Sequence, residues 1–228
     1  MPPARARLLL APSLLAAVLA GCGSPAATRP TPTPIVSNLP SPLPAATPST
    51  CARTVTPQAS PGPLVPPRGN VPAGAPVTQG MTLFSVVSPG ILARGGTPDA
   101  AGFNWLKLHG WKSVVDVRTT DDTTYSDFVA DRFQYLFLPV DAALAPTPDQ
   151  ARSFLCFVVN PANQPVFAHD NSGAERVSLF IALYRYAAQG WPMDMAVREA
   201  KAYGDSLTLE QLTFLQAWAN QYPPGTIP

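Results

Sequence analysis

Proline is so dense between residues 23 and about 76 that neither a helix nor a sheet ladder is expected there, which would confine folding to the rest of the chain. Fifteen of the 29 prolines lie between Cys22 and Val77, and those at 30, 32, 34, 40, 42, 44 and 48 are interspersed largely with Thr, Ser and Ala. Proline fixes φ and removes a backbone donor. Too few large apolar side chains accompany it to offset the entropy of ordering the chain. The segment is expected to be a disordered, semi-rigid tether. The charges divide the chain near the same place, because every acidic residue follows position 98, the first being Asp99. Residues 77–228 remain, about 150 residues, a normal size for one domain with its own core. They carry ten basic residues against all 14 acidic ones, a net charge of −4. Such a domain lacks the broad basic face that nucleic acid requires, so nucleic acid is excluded as a partner.

The N-terminus reads as an export signal. Arg5 and Arg7 precede an apolar run from Leu8 to Ala20, interrupted only by Pro12 and Ser13. At about 13 residues this run is too short to span a bilayer as a mature helix, which takes about 20. Leu19-Ala20-Gly21-Cys22 then matches a lipobox, whose small residues enter the lipoprotein signal peptidase extended and whose cysteine thiol accepts a diacylglyceryl group. The organisation expected is a lipoprotein signal peptide over 1–21, a lipidated Cys22 and tether over 22–76, and a globular domain over 77–228. Two or three acyl chains on Cys22 hold a protein on a membrane where a single chain binds only marginally. The expected place is extracytoplasmic, membrane-anchored in the cell envelope. Cys156 lies in the apolar run Phe154 to Val159 and reads as a buried core thiol; a Cys51–Cys156 disulfide is the less favoured alternative. None of the three cysteines has metal-ligand spacing with His109 or His169, so no metal site and no cofactor is expected.

Within the domain, strand-like and helix-like segments alternate. Thr82–Val87 and Ile91–Arg94 flank Pro89-Gly90 as a small hairpin. Ser113–Val117, Tyr135–Val140 and Pro165–Ala168 are short dense apolar runs of the kind buried on both faces of a parallel sheet. Between and after them, 99–109, 125–132, 148–159, 174–188, 192–203 and 209–222 read as helices, several with start signals such as Thr147, Thr208 and Pro192. This pattern predicts an α/β fold, a mostly parallel central sheet flanked by helices on both faces. Trp105, Trp111, Trp191 and Trp218 sit in or beside helices and read as core. Ligands in such folds bind beyond the carboxyl ends of strands, which directs attention to the residues after Val117, Val140 and Ala168.

After Ala168 comes His169-Asp170-Asn171-Ser172-Gly173-Ala174-Glu175-Arg176. A strand, a glycine-containing loop and a helix N-terminus make an anion site, since successive N–H groups point inward and the helix dipole favours negative charge. Arg176, placed one turn into the helix, is expected to add a bidentate guanidinium. The stretch resembles the His-Cys-x5-Arg phosphate loop of the protein tyrosine and dual-specificity phosphatases. Ile91–Pro98, Gly110–Arg118, Leu138–Asp141 and Asn163–His169 are similar, in order, to further segments of the small atypical dual-specificity group. The likeness spans about Phe84 to Tyr203. It implies that family's fold and a loop, residues 169–175, whose amides hold phosphoryl oxygens. It also implies that Arg176 is the loop arginine, His169 the supporting histidine and Asp141 the general-acid candidate.

Two catalytic positions depart from that pattern. Asp170 stands where the nucleophilic cysteine belongs, and Val177 where a hydroxyl residue usually follows the arginine. A carboxylate is a far poorer nucleophile toward a phosphate ester than a thiolate, and it sets a negative charge where a dianion should sit. Asp170 is expected either to pair with Arg176 or to cap the loop amides, occupying the pocket itself. The reading is a pseudophosphatase acting as a binding module for an oxyanion or a protein. The alternative is a phosphatase hydrolysing phosphate esters with Asp170 as nucleophile or base, its Mg²⁺ recruited by Asp116, Asp121 and Asp122.

Overall fold

A computed structural model describes residues 51–57, 80–122, 132–203 and 207–228. The signal peptide, Cys22, residues 23–50 and 58–76 of the tether, residues 77–79 of the expected domain and residues 125–131 of one expected helix lie outside the described residues. Among the described residues no helix is long and apolar enough to cross a membrane.

The elements run β1 (Arg53–Thr54), β2 (Ser85–Ser88), β3 (Leu92–Gly96), α1 (Ala100–Leu108), β4 (Ser113–Asp116), β5 (Gln134–Phe137), α2 (Pro148–Val159), a 3₁₀ turn (Pro161–Asn163), β6 (Val166–Asp170), α3 (Arg176–Gln189), α4 (Met193–Ala202), α5 (Leu209–Gln221) and β7 (Thr226–Ile227). The main sheet has the order β2-β3-β6-β4-β5. Only β2 pairs antiparallel, with β3, as the expected hairpin; β3, β6, β4 and β5 are parallel. β6, which carries the phosphatase-like segment, is therefore central. Side chains alternate across it as a strand requires. Leu92, Val115, Val166 and Ala168 enter the core beneath α2, α3 and α4, while Ala93, Val114 and Phe167 join Phe103 and Leu106 of α1 on the other face.

Helix starts follow the start signals. Asp99, Thr147 and Thr208 each accept a backbone N–H through the side chain, the last two in full capping boxes with Gln150 and Gln211. In α3 all but Arg185 and Gln189 are buried, which makes it the central helix of the domain. It ends at Gly190, whose φ of +72° supplies the left-handed C-cap. The last strand before the acid candidate is shorter than expected, ending at Phe137, because Pro139 has no N–H to extend the ladder.

Two features correct the sequence reading. Cys51 and Cys156 form a disulfide with their Cα atoms 5.3 Å apart, so Cys156 is not a free core thiol. Residues 51–57, read as tether, accompany that bond onto the domain. β1 pairs antiparallel with β7, and the Val55 N–H donates to the Gly225 carbonyl at 2.8 Å. The folded body thus includes a strand from the proline-rich stretch, which two-residue pairing alone does not hold in water and which the disulfide staples down.

Candidate functional site: a phosphate-type loop closed on its own aspartate

β6 runs one pair further than the apolar run suggests, through His169 and Asp170, and all five of its residues are buried. Asp170 ends the strand with its carboxylate turned into the following loop. Oδ1 accepts the N–H groups of Ser172 (3.1 Å) and Gly173 (2.5 Å). Oδ2 accepts those of Glu175 (3.1 Å) and Val177 (2.9 Å). At the start of α3, where N–H groups lack helical partners, that of Val177 is met by this carboxylate and that of Ser178 donates to the Glu175 carbonyl at 3.0 Å; Glu175 at the N-cap makes no side-chain cap. Of the two expected arrangements the amide-capping one is realised. Gly173 has φ +87°, and a Cβ there would lie 2.5 Å from the Gly96 nitrogen, so the loop requires glycine at this point.

Arg176 does not sit where the sequence reading put it. It is the first residue of α3, not one turn in, because the helix begins only after the loop amides have been gathered by Asp170. Its guanidinium donates Nη1 to the Val140 carbonyl at 3.2 Å and stands 4.0 Å from the Glu175 carboxylate. Its buried Nε has no partner among the described residues. Asp141, the general-acid candidate, is exposed and accepts the Ala143 N–H at 2.9 Å, capping its own turn. That turn is fastened to the start of α5. Gln211 donates to the Ala142 and Leu144 carbonyls (3.1 and 3.2 Å), Thr208 to the Ala143 carbonyl (3.1 Å), and the Glu210 carboxylate accepts the Ala145 N–H (3.3 Å). A cavity of about 440 Å³ lies between this turn, Ala174, Glu175 and Leu207; Asp141 and Asp170 do not line it. Val177 is buried, and the neighbouring Ser178 hydroxyl, buried too, donates to the Ala174 carbonyl at 2.5 Å.

The underside of the loop depends on a residue to which sequence reasoning gave no role. Arg94 of β3 is fully buried. Its Nη2 donates to the Gly173 carbonyl at 2.6 Å and to the Ser178 hydroxyl. The guanidinium lies 3.7 Å from the centroid of the Tyr203 ring. Desolvation pushes it down to about 10, partly offset by Tyr203 and Asp170, and it remains a cation at neutral pH. Thr97 and Thr82 add bonds from their hydroxyls to the Asp170 and Ser172 carbonyls, at 3.0 and 3.1 Å. The signal that was available is an arginine inside an otherwise buried strand, a placement that demands partners.

His169 is fully buried, with Nε2 3.0 Å from the Asp122 carboxylate. Asp116, Asp122 and His169 bring one ligand atom each within 4.8 Å of the others. Asp121 is not in this cluster. Arg118 lies across the two carboxylates, donating to Asp116 at 2.8 Å and to Asp122, and the Tyr135 hydroxyl approaches Asp116 at 3.3 Å. Burial pushes that hydroxyl well above its ordinary range, so it stays a donor. The donor set therefore already has its cation, and a metal ion there has to displace a guanidinium.

A family model described as "DSP-PTPase phosphatase fused to NAD+ Kinase" matches residues 78–217. A protein of Oryza sativa subsp. japonica described as "Probable NAD kinase 2, chloroplastic" is 29% identical over 99 residues, covering 40% of this chain but only 10% of that protein. The chain thus spans about a tenth of the length of that curated relative. Among solved structures, the core catalytic domain of a PP-IP phosphatase from S. cerevisiae is similar with a TM-score of 0.52 at 22% identity, over 60% of this chain and 91% of that one. Tk-PTP in its active form aligns with a TM-score of 0.53 at 18% identity, over 61% and 97%. At such identities the two structures speak for the fold alone, and the fold is the one the loop resemblance implied. The central parallel sheet, the strand–loop–helix after Ala168 and the family match over 78–217 agree, and the chain belongs to the family of dual-specificity and tyrosine phosphatase domains of the type fused to NAD+ kinase.

Proposed function

We propose that this chain is a cell-envelope lipoprotein whose phosphatase-like domain is catalytically silent and acts as a binding module. The observation that carries the silence is the Asp170 carboxylate, which takes three loop amides and one from the first turn of α3, of the kind that hold phosphoryl oxygens in this family. An anion bound there has to displace a covalently attached competitor of the same charge. The catalytic pieces around it are also unsuited to turnover: Asp141 caps its own turn, the Arg176 guanidinium serves the Val140 carbonyl, and Val177 offers no hydroxyl. Hydrolysis of an aryl phosphate by the full chain is expected to stay at the buffer rate, with Mg²⁺ or with a chelator. Magnesium-dependent turnover lost on chelation supports the alternative, in which Asp170 is a nucleophile or base.

The lipoprotein half of the proposal rests on the lipobox Leu19–Cys22 and the tether that follows. The Cys22 lipid is the membrane partner, and the tether stands the domain off the surface. Cys22→Ser is expected to move the protein from the membrane pellet to the soluble fraction and to abolish incorporation of labelled fatty acid. Unchanged labelling removes the lipid anchor from the account.

A further inference from the structure

The end of the sheet opposite Asp170 carries a second concentration of charge that the proposed function does not use. β4, β5 and β6 are parallel, so the amino ends of β4 and β5 lie away from the loop after Asp170. There a cavity of about 480 Å³ is lined by Lys107, Trp111, Lys112, Arg132, Phe133 and Gln134, with two small residues completing it and no acidic residue lining it among the described residues. The domain as a whole is acidic, so composition does not explain this gathering. Arg118, Arg152, Arg176, Arg185 and Arg198 each face a carboxylate within 4.0 Å, and Arg94 is sealed beneath the loop. Lys107 and Lys112 enter no ion pair among the described residues, yet both line the same cavity.

The two lysines are carried by fixed elements. Lys107 lies in the last turn of α1, and its Nζ donates to the Arg132 carbonyl at 2.7 Å, leaving two of its three donors for a ligand. Lys112 is fixed through its backbone, donating to the Pro165 carbonyl at 3.1 Å and accepting from Gln134 at 2.9 Å, while its side chain is exposed. The Arg132 Nη1 contacts the Asn104 carboxamide at 3.3 Å. The two lysine ammonium groups repel one another where they share the cavity, and a compact oxyanion accepts from both at once. The volume falls within the usual range for a small-ligand cleft, about 300–1,000 Å³.

We propose that this cavity is a binding site for a phosphate group, either a soluble inorganic phosphate or the headgroup of an anionic phospholipid. It is separate from the phosphatase-type loop and does not depend on the reading of Asp170. Two probes distinguish the sources, both applied to the full chain at low ionic strength: calorimetric titration with inorganic pyrophosphate, and co-sedimentation with phosphatidylglycerol vesicles, read as the excess over phosphatidylcholine vesicles. Binding to at least one probe is expected, weakened at least about tenfold in Lys112→Glu and again in Lys107→Glu. Lys112→Glu should leave the melting temperature unchanged, because that side chain is exposed, whereas Lys107→Glu also loses the bond to the Arg132 carbonyl and should melt slightly lower, so the lysine at 112 separates binding from folding. Pyrophosphate binding assigns the site to a soluble anion, and vesicle binding alone assigns it to a headgroup. Absence of both in the wild type, or equal binding by the lysine variants, overturns the proposal.

Discussion

Replacing Arg94 by methionine is expected to destabilise the domain by about 2 kcal/mol, the middle of the range for leaving a buried hydrogen-bond partner unsatisfied. The size follows from what the guanidinium does. It supports the loop from below by bonding the Gly173 carbonyl, whose residue also donates its N–H to the Asp170 carboxylate. Removing it leaves the buried Gly173 carbonyl without its side-chain donor, and it empties the face of Tyr203. The opposing effect is relief of the desolvation that lowers Arg94 to about 10, together with its two nitrogens that find no partner among the described residues, and this holds the loss below the upper end of the range. Arg94→Lys is not expected to rescue, because a point charge on a flexible stem neither stacks on Tyr203 nor reproduces the planar fork. Denaturant midpoints of the three proteins check this, and a methionine variant within about 1 kcal/mol of wild type means the loop stands without that support.

Removing the Cys51–Cys156 bond is expected to cost about 2–4 kcal/mol, the usual range for a disulfide. The cysteines are 105 residues apart. Closing so long a loop removes much entropy from the unfolded chain, and the chain-entropy model gives about 4.7 kcal/mol for a 100-residue loop. The bond also has a local task, since β1 contributes only Arg53 and Thr54 to its pairing with β7. The double variant Cys51→Ser, Cys156→Ser should lower the denaturant midpoint, and amide exchange at Arg53 to Val55 should quicken well before global unfolding. A midpoint that reductant leaves unmoved means the staple contributes nothing.

The fold was legible wherever the physics is local. The runs at 113–117 and 165–168 are apolar without alternation because both faces of those strands are covered, and Thr147 and Thr208 announced their helices because only a side-chain oxygen meets the orphan donors there. β1 and β7 were not legible: two-residue strands have no periodicity, and their pairing depends on a disulfide that closes across most of the domain. At the site, the identity of the loop and the anomaly at Asp170 stood in the sequence. The direction each side chain takes did not. Arg176 pairs with the Val140 carbonyl because Asp170 is already satisfied by backbone amides, and Arg94 matters because β3 happens to lie beside β6, which is a fact of strand order.

The claim on which the account turns is that Asp170 fills its own loop, and phosphate binding tests it most directly. Isothermal titration of inorganic phosphate and sulfate should be carried out on the wild type and on Asp170→Asn, each carrying Lys107→Glu and Lys112→Glu so that only the loop is read. The account predicts no saturable binding by the aspartate form and measurable oxyanion binding once the carboxylate is neutral. Equal, tight binding by both forms contradicts self-occupancy and returns the loop to the ranks of open phosphate sites.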